Sequence, residues 1–269
     1  MQQLNILKIG GNIINNPSKL GAFLQKFAAI EGLKILVHGG GRSATDIAEK
    51  LGIETQMVGG RRITSAEMLE VVTMVFAGVN KGIVAKLQGM NCNALGLTGA
   101  DLNLIQAVKR PVKTIDYGFV GDVIGVNSLQ LNNLLKLNIS PIVAPLTHDQ
   151  NGQLLNTNAD TVAASLAKAM ADSYEVRLIY CFEKNGVLLD VEDDASFVPK
   201  LSVEDFEAYQ ADGIVKDGMV PKLTTGFEAL KEGVAKVVIC SAEGFDEGDL
   251  KGTELVLGKF KYKNQMQNN

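Results

Sequence analysis

The chain has 269 residues, of which 46% are hydrophobic and 21% charged, and it carries a net charge of −4 with an isoelectric point near 5.4. This composition predicts a soluble globular protein with room for one large α/β unit or two lobes. No block of basic residues is present, so the chain lacks the electrostatic footprint of a nucleic-acid-binding protein.

Cysteines and histidines are too few for the common metal cages. The three cysteines lie far apart with no Cys-x-x-Cys, and the histidines are His38 and His148. This pattern predicts a reducing compartment and no structural zinc. The first residues lack the basic and apolar segments of a signal peptide, and no apolar run has membrane-spanning length. We therefore expect a cytoplasmic protein with no metal cage and no membrane partner.

Short apolar runs alternate with segments of helical periodicity along the chain. The predicted strands are 4–9, 34–38, 93–97, a pair within 104–126, 139–144, a hairpin over 146–156, 176–181, 237–240 and 254–257. The predicted helices are 20–30, 44–51, 65–90 (one helix or two), 128–137, 158–171, 202–212 and 219–233. Repeated βα units predict an α/β protein, a three-layer αβα sandwich around a central, mostly parallel sheet.

A boundary between two lobes is predicted near Asp172 and Ser173, where the second half opens with a new apolar strand. The lobes would be 1–172 and 173–269. The last ten residues, rich in Lys, Gln and Asn, are expected to form a frayed tail.

Lys8 stands at the end of the first predicted strand and is followed by Gly10 and Gly11. A lysine at the exit of a buried strand is costly unless an anion meets it. The glycines let backbone N–H groups approach a ligand closely. Such a turn suits a phosphate, although a plain strand-to-helix turn can have the same residues.

A second glycine run, His38-Gly39-Gly40-Gly41, ends the next strand and precedes a helix. Backbone donors at a helix N-terminus attract anions. The same run occurs in the oxyanion holes of lipases and esterases. That interpretation needs a Gly-x-Ser-x-Gly elbow and a late histidine, and the chain has neither.

Four further side chains are candidates for binding or catalysis. Arg62, in a predicted loop, offers a guanidinium fork that suits a carboxylate. Asn158 is a good helix N-cap, and Asp160 in the first turn suits the helix dipole without any catalytic role. Lys222 in the first turn of a later helix opposes the dipole, so it needs an anionic partner or open solvent. Two lysines, an aspartate, an arginine and glycine-rich turns together favour phosphoryl transfer.

The ordered motifs resemble the amino acid kinase family, and within it the branch that acts on N-acetylglutamate. They are Lys8-Ile9-Gly10-Gly11, His38-Gly39-Gly40-Gly41, Arg62-Ile63-Thr64, Asn156-Thr157-Asn158-Ala159-Asp160, and Asp217-Gly218-Met219 through Lys222. The resemblance implies the two-lobed fold of that family. It also implies ATP-dependent phosphorylation of the γ-carboxylate of N-acetyl-L-glutamate to an acyl phosphate, a step of arginine biosynthesis.

The resemblance assigns catalytic roles to five residues. Lys8 and Lys222 would stabilise charge on the transferring phosphoryl group, and Asp160 would hold both lysines. Gly11 and Gly40 would donate backbone N–H bonds to phosphoryl oxygens. No general base is needed, because the attacking carboxylate is ionised at neutral pH.

It also implies where the two substrates bind. In the N-terminal lobe, Arg62 would grip the α-carboxylate, and Gly40, Gly41 and Asn156 would complete the acylglutamate site. The C-terminal lobe would bind ATP, with Mg²⁺ carried by the nucleotide. The implied nucleotide residues are Glu183, Lys184, Asn185, Gly186, Val187, Leu188, Ile214, Val215 and Lys216.

Two segments depart from the family pattern and leave alternatives open. Phe182-Glu183-Lys184 replaces the usual small residue and Asp, which affects the nucleotide contacts. The hairpin 145–150 is unusual near the expected acyl position, so N-succinylglutamate is an alternative substrate. Another carboxylate or carbamate kinase of this fold and a non-catalytic ligand-binding relative are the further alternatives. With its first strand at residue 4, the chain has no room for the extra helix of hexameric relatives, so we expect a homodimer without strong arginine feedback.

Overall fold

The computed structural model describes residues 1–216, 218–245 and 250–258. Asp217 of the last motif and the predicted tail over 260–269 lie outside the described residues. The strands are β1 (Gln3–Ile9), β2 (Leu33–His38), β3 (Met57–Val58), β4 (Arg61–Arg62), β5 (Ala94–Leu97), β6 (Ile105–Lys109), β7 (Gly121–Val126), β8 (Ser140–Val143), β9 (Leu146–His148), β10 (Leu154–Asn156), β11 (Glu175–Phe182), β12 (Val187–Leu188), β13 (Phe197–Val198), β14 (Lys200–Ser202), β15 (Lys236–Ser241) and β16 (Gly252–Val256). The helices are α1 (Gly11–Ile14), α2 (Pro17–Ala29), α3 (Gly41–Lys50), α4 (Ala66–Gln88), α5 (Ser128–Lys136), α6 (Ala159–Met170), α7 (Val203–Ala211) and α8 (Met219–Lys231).

An eight-stranded sheet forms the centre of the molecule, in the order β14-β16-β15-β11-β1-β2-β8-β5. The pairing of β15 with β16 is antiparallel, and the other neighbouring pairs are parallel. The predicted mostly parallel sheet is therefore confirmed. Because β1 and β2 lie side by side and run the same way, their two glycine turns meet at one edge of the sheet.

Side chains of the central strands alternate between two helical layers. Leu4 and Ile6 of β1 pack in the apolar cluster formed with α5 to α8. Leu7 and Ile9 face the opposite cluster, formed with α1, α2 and α4. Both sides of the sheet are covered, as the three-layer prediction required. The same alternation of period two turns Lys8 toward the layer that contains α6 and α8.

Several short elements were not predicted. Arg61 and Arg62 lie on β4, which pairs with β3 across a turn at Gly59 and Gly60, so the prediction that both arginines lie in a loop was wrong. The two glycines have φ angles of +55° and +73°, as a tight hairpin turn requires. The short helix α1 and strands β12 to β14 were also missed, because two to four residues are too few to show a period.

Helix α4 alone fills most of the segment predicted as one or two helices. By length and composition it could cross a membrane, which the sequence analysis did not expect. Its buried residues, among them Val72, Phe76 and Ile83, pack in the apolar clusters of the protein. This is the environment of a core helix.

The predicted lobe boundary falls between α6 and β11. Strand β11 pairs with β1 in register from Gln3 opposite Glu175 to Ile9 opposite Cys181. Both halves of the chain therefore contribute strands to the same sheet, and Lys8 lies where they join.

Candidate active site

A cleft of about 550 Å³ opens at the carboxyl ends of β1 and β2. All the residues that the sequence analysis assigned to catalysis and to acylglutamate binding line this cleft, namely Lys8, Gly11, Gly40, Gly41, Arg62, Asn156, Asp160 and Lys222. Segments far apart in sequence are thus brought together at one site.

Asp160 lies between the two predicted catalytic lysines. Its Oδ1 is 2.7 Å from Lys8 Nζ, and its Oδ2 is 3.2 Å from Lys222 Nζ. The Asp160 side chain is only 7% exposed, so both ion pairs are shielded from bulk water. Asn158 caps α6 by accepting from the backbone N–H groups of Asp160 and Thr161, which fixes the first turn that carries the carboxylate.

Burial and the three charges shift the pKa values of this cluster. Burial opposes ionisation of Asp160, but the two lysines outweigh it and lower the pKa of the carboxyl group. Burial also lowers the pKa of Lys8, with a further contribution from the charge on Lys222 and against the attraction of Asp160. With all three groups charged the cluster has a net charge of +1, which suits an anionic phosphoryl group.

The sequence alone left open whether Lys222 has an anionic partner or lies in open solvent. It lies in the first turn of α8, where the helix dipole disfavours a cation. Its Nζ pairs with Asp160 and also donates to the Gly218 carbonyl at 3.3 Å. An anionic partner, and not open solvent, therefore compensates its unfavourable position.

The second glycine run is shaped by packing beneath it. Gly40 has a φ of +153°, and a Cβ atom there would lie 2.9 and 3.0 Å from ring carbons of Phe76. Only glycine fits both the backbone angle and the space. Gly11 differs, since a Cβ there would meet the Arg42 Cβ at an ordinary 3.5 Å. Helices α3 and α8 begin after Gly40 and Gly218, so their N-termini have no side-chain cap and face the cleft.

His38 supports this glycine run from below. Its ring is fully buried, Nδ1 lies 2.7 Å from the Gly39 carbonyl, and Nε2 lies 3.1 Å from the Asn80 amide nitrogen. These contacts assign the proton to Nδ1, because the carbonyl can only accept. Burial lowers the pKa of His38 to about 4, so the ring is neutral at pH 7. His38 is a structural residue.

Arg62 lines the cleft and is anchored there through one nitrogen of its guanidinium group. Nη2 donates to the Gly41 carbonyl and to Thr45 Oγ1, both at 2.8 Å. Nη1 is buried and has no hydrogen-bond partner among the described residues. A buried unpaired donor is costly, so this nitrogen is suited to an anionic ligand in the cleft.

Asn156 and the neighbouring hairpin form another wall. Asn156 Nδ2 donates to Thr64 Oγ1 at 3.0 Å, and its backbone N–H donates to the Phe119 carbonyl. From the unusual segment 145–150, Pro145 lines the cleft, while Leu146 and Thr147 are buried in the protein. The contribution of this segment to the cleft wall is therefore Pro145.

Most of the residues predicted to bind nucleotide do not line the cleft as the described residues define it. Glu183 lines the cleft, whereas the other eight are not among its described lining residues. Val187 and Val215 are buried in one apolar cluster, and Lys184 pairs with Asp194 at 3.2 Å. A Cβ at Gly186 would lie 2.4 Å from Thr253 Oγ1, so this glycine is required by packing. These nucleotide assignments stay predictions.

Arg110 and Asp122 are among the charged residues of the cleft that sequence reasoning missed. Arg110 follows β6 and Asp122 lies on β7, and both line the cleft near Gly121. Arg110 Nε donates to both carboxylate oxygens of Asp122, at 3.0 and 3.2 Å. Neither residue belongs to a recognisable motif. Only the pairing of β6 with β7 brings them to the cleft.

The profile of the amino acid kinase family matches residues 3–241. The chain belongs to this family. Among proteins named acetylglutamate kinase, that of Phocaeicola vulgatus is 56% identical over 248 residues, which cover 92% of this chain and 96% of that protein. That of Cytophaga hutchinsonii is 53% identical over 262 residues, covering 95% and 99%.

A solved structure extends the comparison. A protein of Streptococcus mutans UA159 superposes with a TM-score of 0.78 at 25% identity, covering 95% of this chain and 99% of that one. The family predicted from the ordered motifs is confirmed, and so is its α/β fold.

Proposed function

We propose that this amino acid kinase transfers a phosphoryl group from ATP to the γ-carboxylate of N-acetyl-L-glutamate, a step of arginine biosynthesis. The observation that carries the proposal is the pairing of Asp160 with both Lys8 and Lys222 in the cleft. The relatives described above, which are named acetylglutamate kinase, support the choice of substrate.

The two lysines are proposed to stabilise the charge that develops during transfer. Both ammonium groups are held before substrate binds, so little reorganisation is needed when charge moves. Asp160 acts as a positioning residue, because each of its oxygens is engaged by one lysine. The attacking carboxylate needs no general base at neutral pH.

Gly11 and Gly40 are proposed to donate backbone N–H groups to phosphoryl oxygens. Gly40 precedes α3, whose N-terminus faces the cleft and carries partial positive charge. The absence of a side chain at each glycine allows the ligand to approach the backbone.

Arg62 is proposed to bind the α-carboxylate of the acylglutamate. Its free Nη1 supplies a donor, while Nη2 is anchored by Gly41 and Thr45. Gly40, Gly41 and Asn156 would complete this site.

ATP would supply the transferable phosphoryl group, and Mg²⁺ would arrive with it and neutralise phosphate charge. No group of three or more His, Cys, Asp or Glu lies together within 1–216, 218–245 and 250–258. Both oxygens of Asp160 are engaged by lysines, so the nucleotide phosphates would hold the metal ion. The proposed C-terminal lobe, 173–269, would bind the nucleotide through 183–188 and 214–216.

A cytoplasmic homodimer is the proposed assembly, formed through the lobe 1–172. Large apolar side chains are exposed on this half, among them Met74 at 60% and Ile124 at 60%. A subunit interface here would bury such side chains as one contiguous apolar patch. Sedimentation velocity would test the assembly, and a stable hexamer would contradict it.

One observation favours a second acyl group. Arg110 lines the cleft and its Nη1 is buried without a hydrogen-bond partner in the part of the chain that the structure describes. A terminal carboxylate, as in N-succinylglutamate, would satisfy this donor. N-Succinylglutamate is therefore the second candidate substrate.

A hydroxylamine-trapping assay with Mg-ATP tests the proposal. N-Acetylglutamate, N-succinylglutamate, glutamate, aspartate and carbamate would be compared side by side. Turnover with the N-acylglutamates alone supports the proposed reaction, and their relative rates identify the acyl group. Turnover only with the other acceptors would indicate another kinase of this fold, and turnover with none would indicate a non-catalytic relative.

A further inference from the structure

Tyr180 lies beside Lys8 in the middle of the sheet. The two residues are in register on the adjacent parallel strands β11 and β1, so their side chains project from the same face. Tyr180 is fully buried. The cleft lining, as far as the described residues define it, does not include Tyr180.

The Tyr180 hydroxyl contacts both helices that carry the other charged groups of the site. Its oxygen lies 3.3 Å from the main-chain carbonyl oxygen of Asp160 on α6. It also lies 3.4 Å from Thr225 Oγ1 on α8. Thr225 Oγ1 in turn lies 3.1 Å from the Lys222 carbonyl and 2.9 Å from the Pro221 carbonyl.

These contacts form a hydroxyl chain, the Tyr180–Thr225 pair, between the main chain of α6 and the Thr225 side chain on α8. Each hydroxyl has one hydrogen to donate and can also accept, whereas a carbonyl oxygen only accepts. The arrangement that makes both hydrogen bonds has Tyr180 donating to the Asp160 carbonyl and accepting from Thr225. It connects α6 to α8 through the buried phenol.

The hydroxyl chain joins the same two helices as the ion pair in the cleft. Asp160 and Lys222 meet through their side chains at 3.2 Å, and the helices that carry them, α6 and α8, are also connected through Tyr180 and Thr225. Burial, together with the charge of Asp160, raises the pKa of Tyr180, so the phenol keeps its hydrogen. A buried polar network of this kind restricts the groups that it connects.

We propose that Tyr180 is a positioning residue, which acts with Thr225 to hold α8 against α6 so that Lys222 stays aligned with Asp160 during phosphoryl transfer. The inference rests on the proposed kinase function for its catalytic consequence. Tyr180 contacts neither Arg62 nor Asn156 through any hydrogen bond in the described chain, so binding of the acylglutamate should not depend on it.

Tyr180→Phe keeps the ring and removes the hydroxyl. We expect kcat to fall about three- to tenfold, the rate equivalent of one lost hydrogen bond. KM for N-acetylglutamate should stay within about twofold of the wild-type value, since only transition-state alignment is affected. Thr225→Val should lower kcat similarly. The double variant should have the same kcat as either single variant, because each substitution breaks the same hydroxyl chain.

Tyr174→Phe is the matched control. Tyr174 is also buried, and its hydroxyl donates to Asn132 away from the cleft. This variant should lose stability comparably but retain wild-type kcat. If Tyr180→Phe behaves like Tyr174→Phe, or if it raises KM and leaves kcat unchanged, the inference is wrong.

A double-mutant cycle on stability tests the inference without measuring enzymatic turnover. Tyr180→Phe and Lys222→Met would be combined and their urea unfolding midpoints compared. A deviation from additivity is expected if the hydroxyl chain and the Lys222 ion pair depend on each other, and additive midpoints would overturn the inference. An inactive wild type would refute the proposed function, while this cycle would still decide on Tyr180.

Discussion

Lys8 Nζ lies 2.7 Å from Asp160 Oδ1, although one residue lies near the end of the first strand and the other in the first turn of the sixth helix. Each group alone would be costly to bury as a charge, and each makes the burial of the other acceptable. The ion pair with Asp160 therefore allows Lys8 to stay charged at the base of the cleft. Any change to one member should affect the other.

Removing Lys8 tests its proposed role directly. Lys8→Ala should lower kcat by roughly 10²–10³-fold, the effect of losing a preorganised transition-state donor. Steady-state hydroxylamine assays would measure kcat, with circular dichroism to verify the fold. Lys168→Ala is the control, because Lys168 forms a partly exposed pair with Glu232 elsewhere. Near-normal turnover in Lys8→Ala would contradict the mechanism.

The resemblance to the amino acid kinase family implied the convergence of Lys8, Asp160 and Lys222, and general rules of α/β folds explain it. Parallel strands end at one edge of the sheet, and the helices that follow begin there, so residues at strand ends and first helical turns meet. The order of the motifs along the chain indicated the family. Asn158 was also predictable as an N-cap from its position alone.

Other features of the site depend on contacts between distant segments. The ring of Phe76 that restricts Gly40 comes from the middle of α4, and nothing local in either segment indicates the contact. The placement of Arg110 and Asp122 follows from the register of two strands. Such pairings are not encoded in local periodicity, so sequence reasoning missed them.

The alkaline side of the pH profile should report Lys8. Burial lowers its pKa below the ordinary 10.5, so the charge is lost at a lower pH than for an exposed lysine. The unfolded chain binds this proton more tightly, so the contribution of Lys8 to stability becomes less unfavourable as pH rises through the folded pKa, while kcat falls. Measurements of both quantities from about pH 7 to about pH 10 test this opposition. Lys8→Arg, which does not titrate there, should remove the alkaline decline in kcat.

Because of His38, the free energy of unfolding should decrease in mildly acidic solution. Its pKa is about 4 in the folded protein and 6.5 ordinarily, so the unfolded chain takes up the proton first. Stability should fall as pH drops from about 6.5 to about 4, by about 3 kcal/mol in total for this group. Urea unfolding of wild type and His38→Gln at about pH 7 and about pH 5 would show a smaller pH effect in the variant. His148→Gln is the control, and an equal pH effect in wild type and His38→Gln would contradict the prediction.

Gly11 and Gly40, the two glycines proposed to donate to phosphoryl oxygens, should respond differently to replacement by alanine. Gly40→Ala should destabilise the protein by about 1–3 kcal/mol, because of the strained φ angle and the contact with Phe76. Gly11→Ala should leave the unfolding temperature unchanged, since its Cβ would make only ordinary contact with Arg42. Both variants should lose activity if the backbone N–H groups bind phosphoryl oxygens. Calorimetry with kinetic assays separates the effects, and full activity in Gly11→Ala would remove that residue from the mechanism.

Arg62→Lys tests the proposed α-carboxylate contact. Lysine keeps the charge but cannot hold Gly41 and Thr45 with one nitrogen while presenting another to the substrate. KM for N-acetylglutamate should rise about 10- to 100-fold, the effect of losing a charge-assisted hydrogen bond, with a smaller change in kcat. Arg177→Lys is the control, because Arg177 lies on β11 and is not among the described residues that line the cleft. Equal KM values for the two variants would mean that the free Nη1 of Arg62 does not bind the acylglutamate.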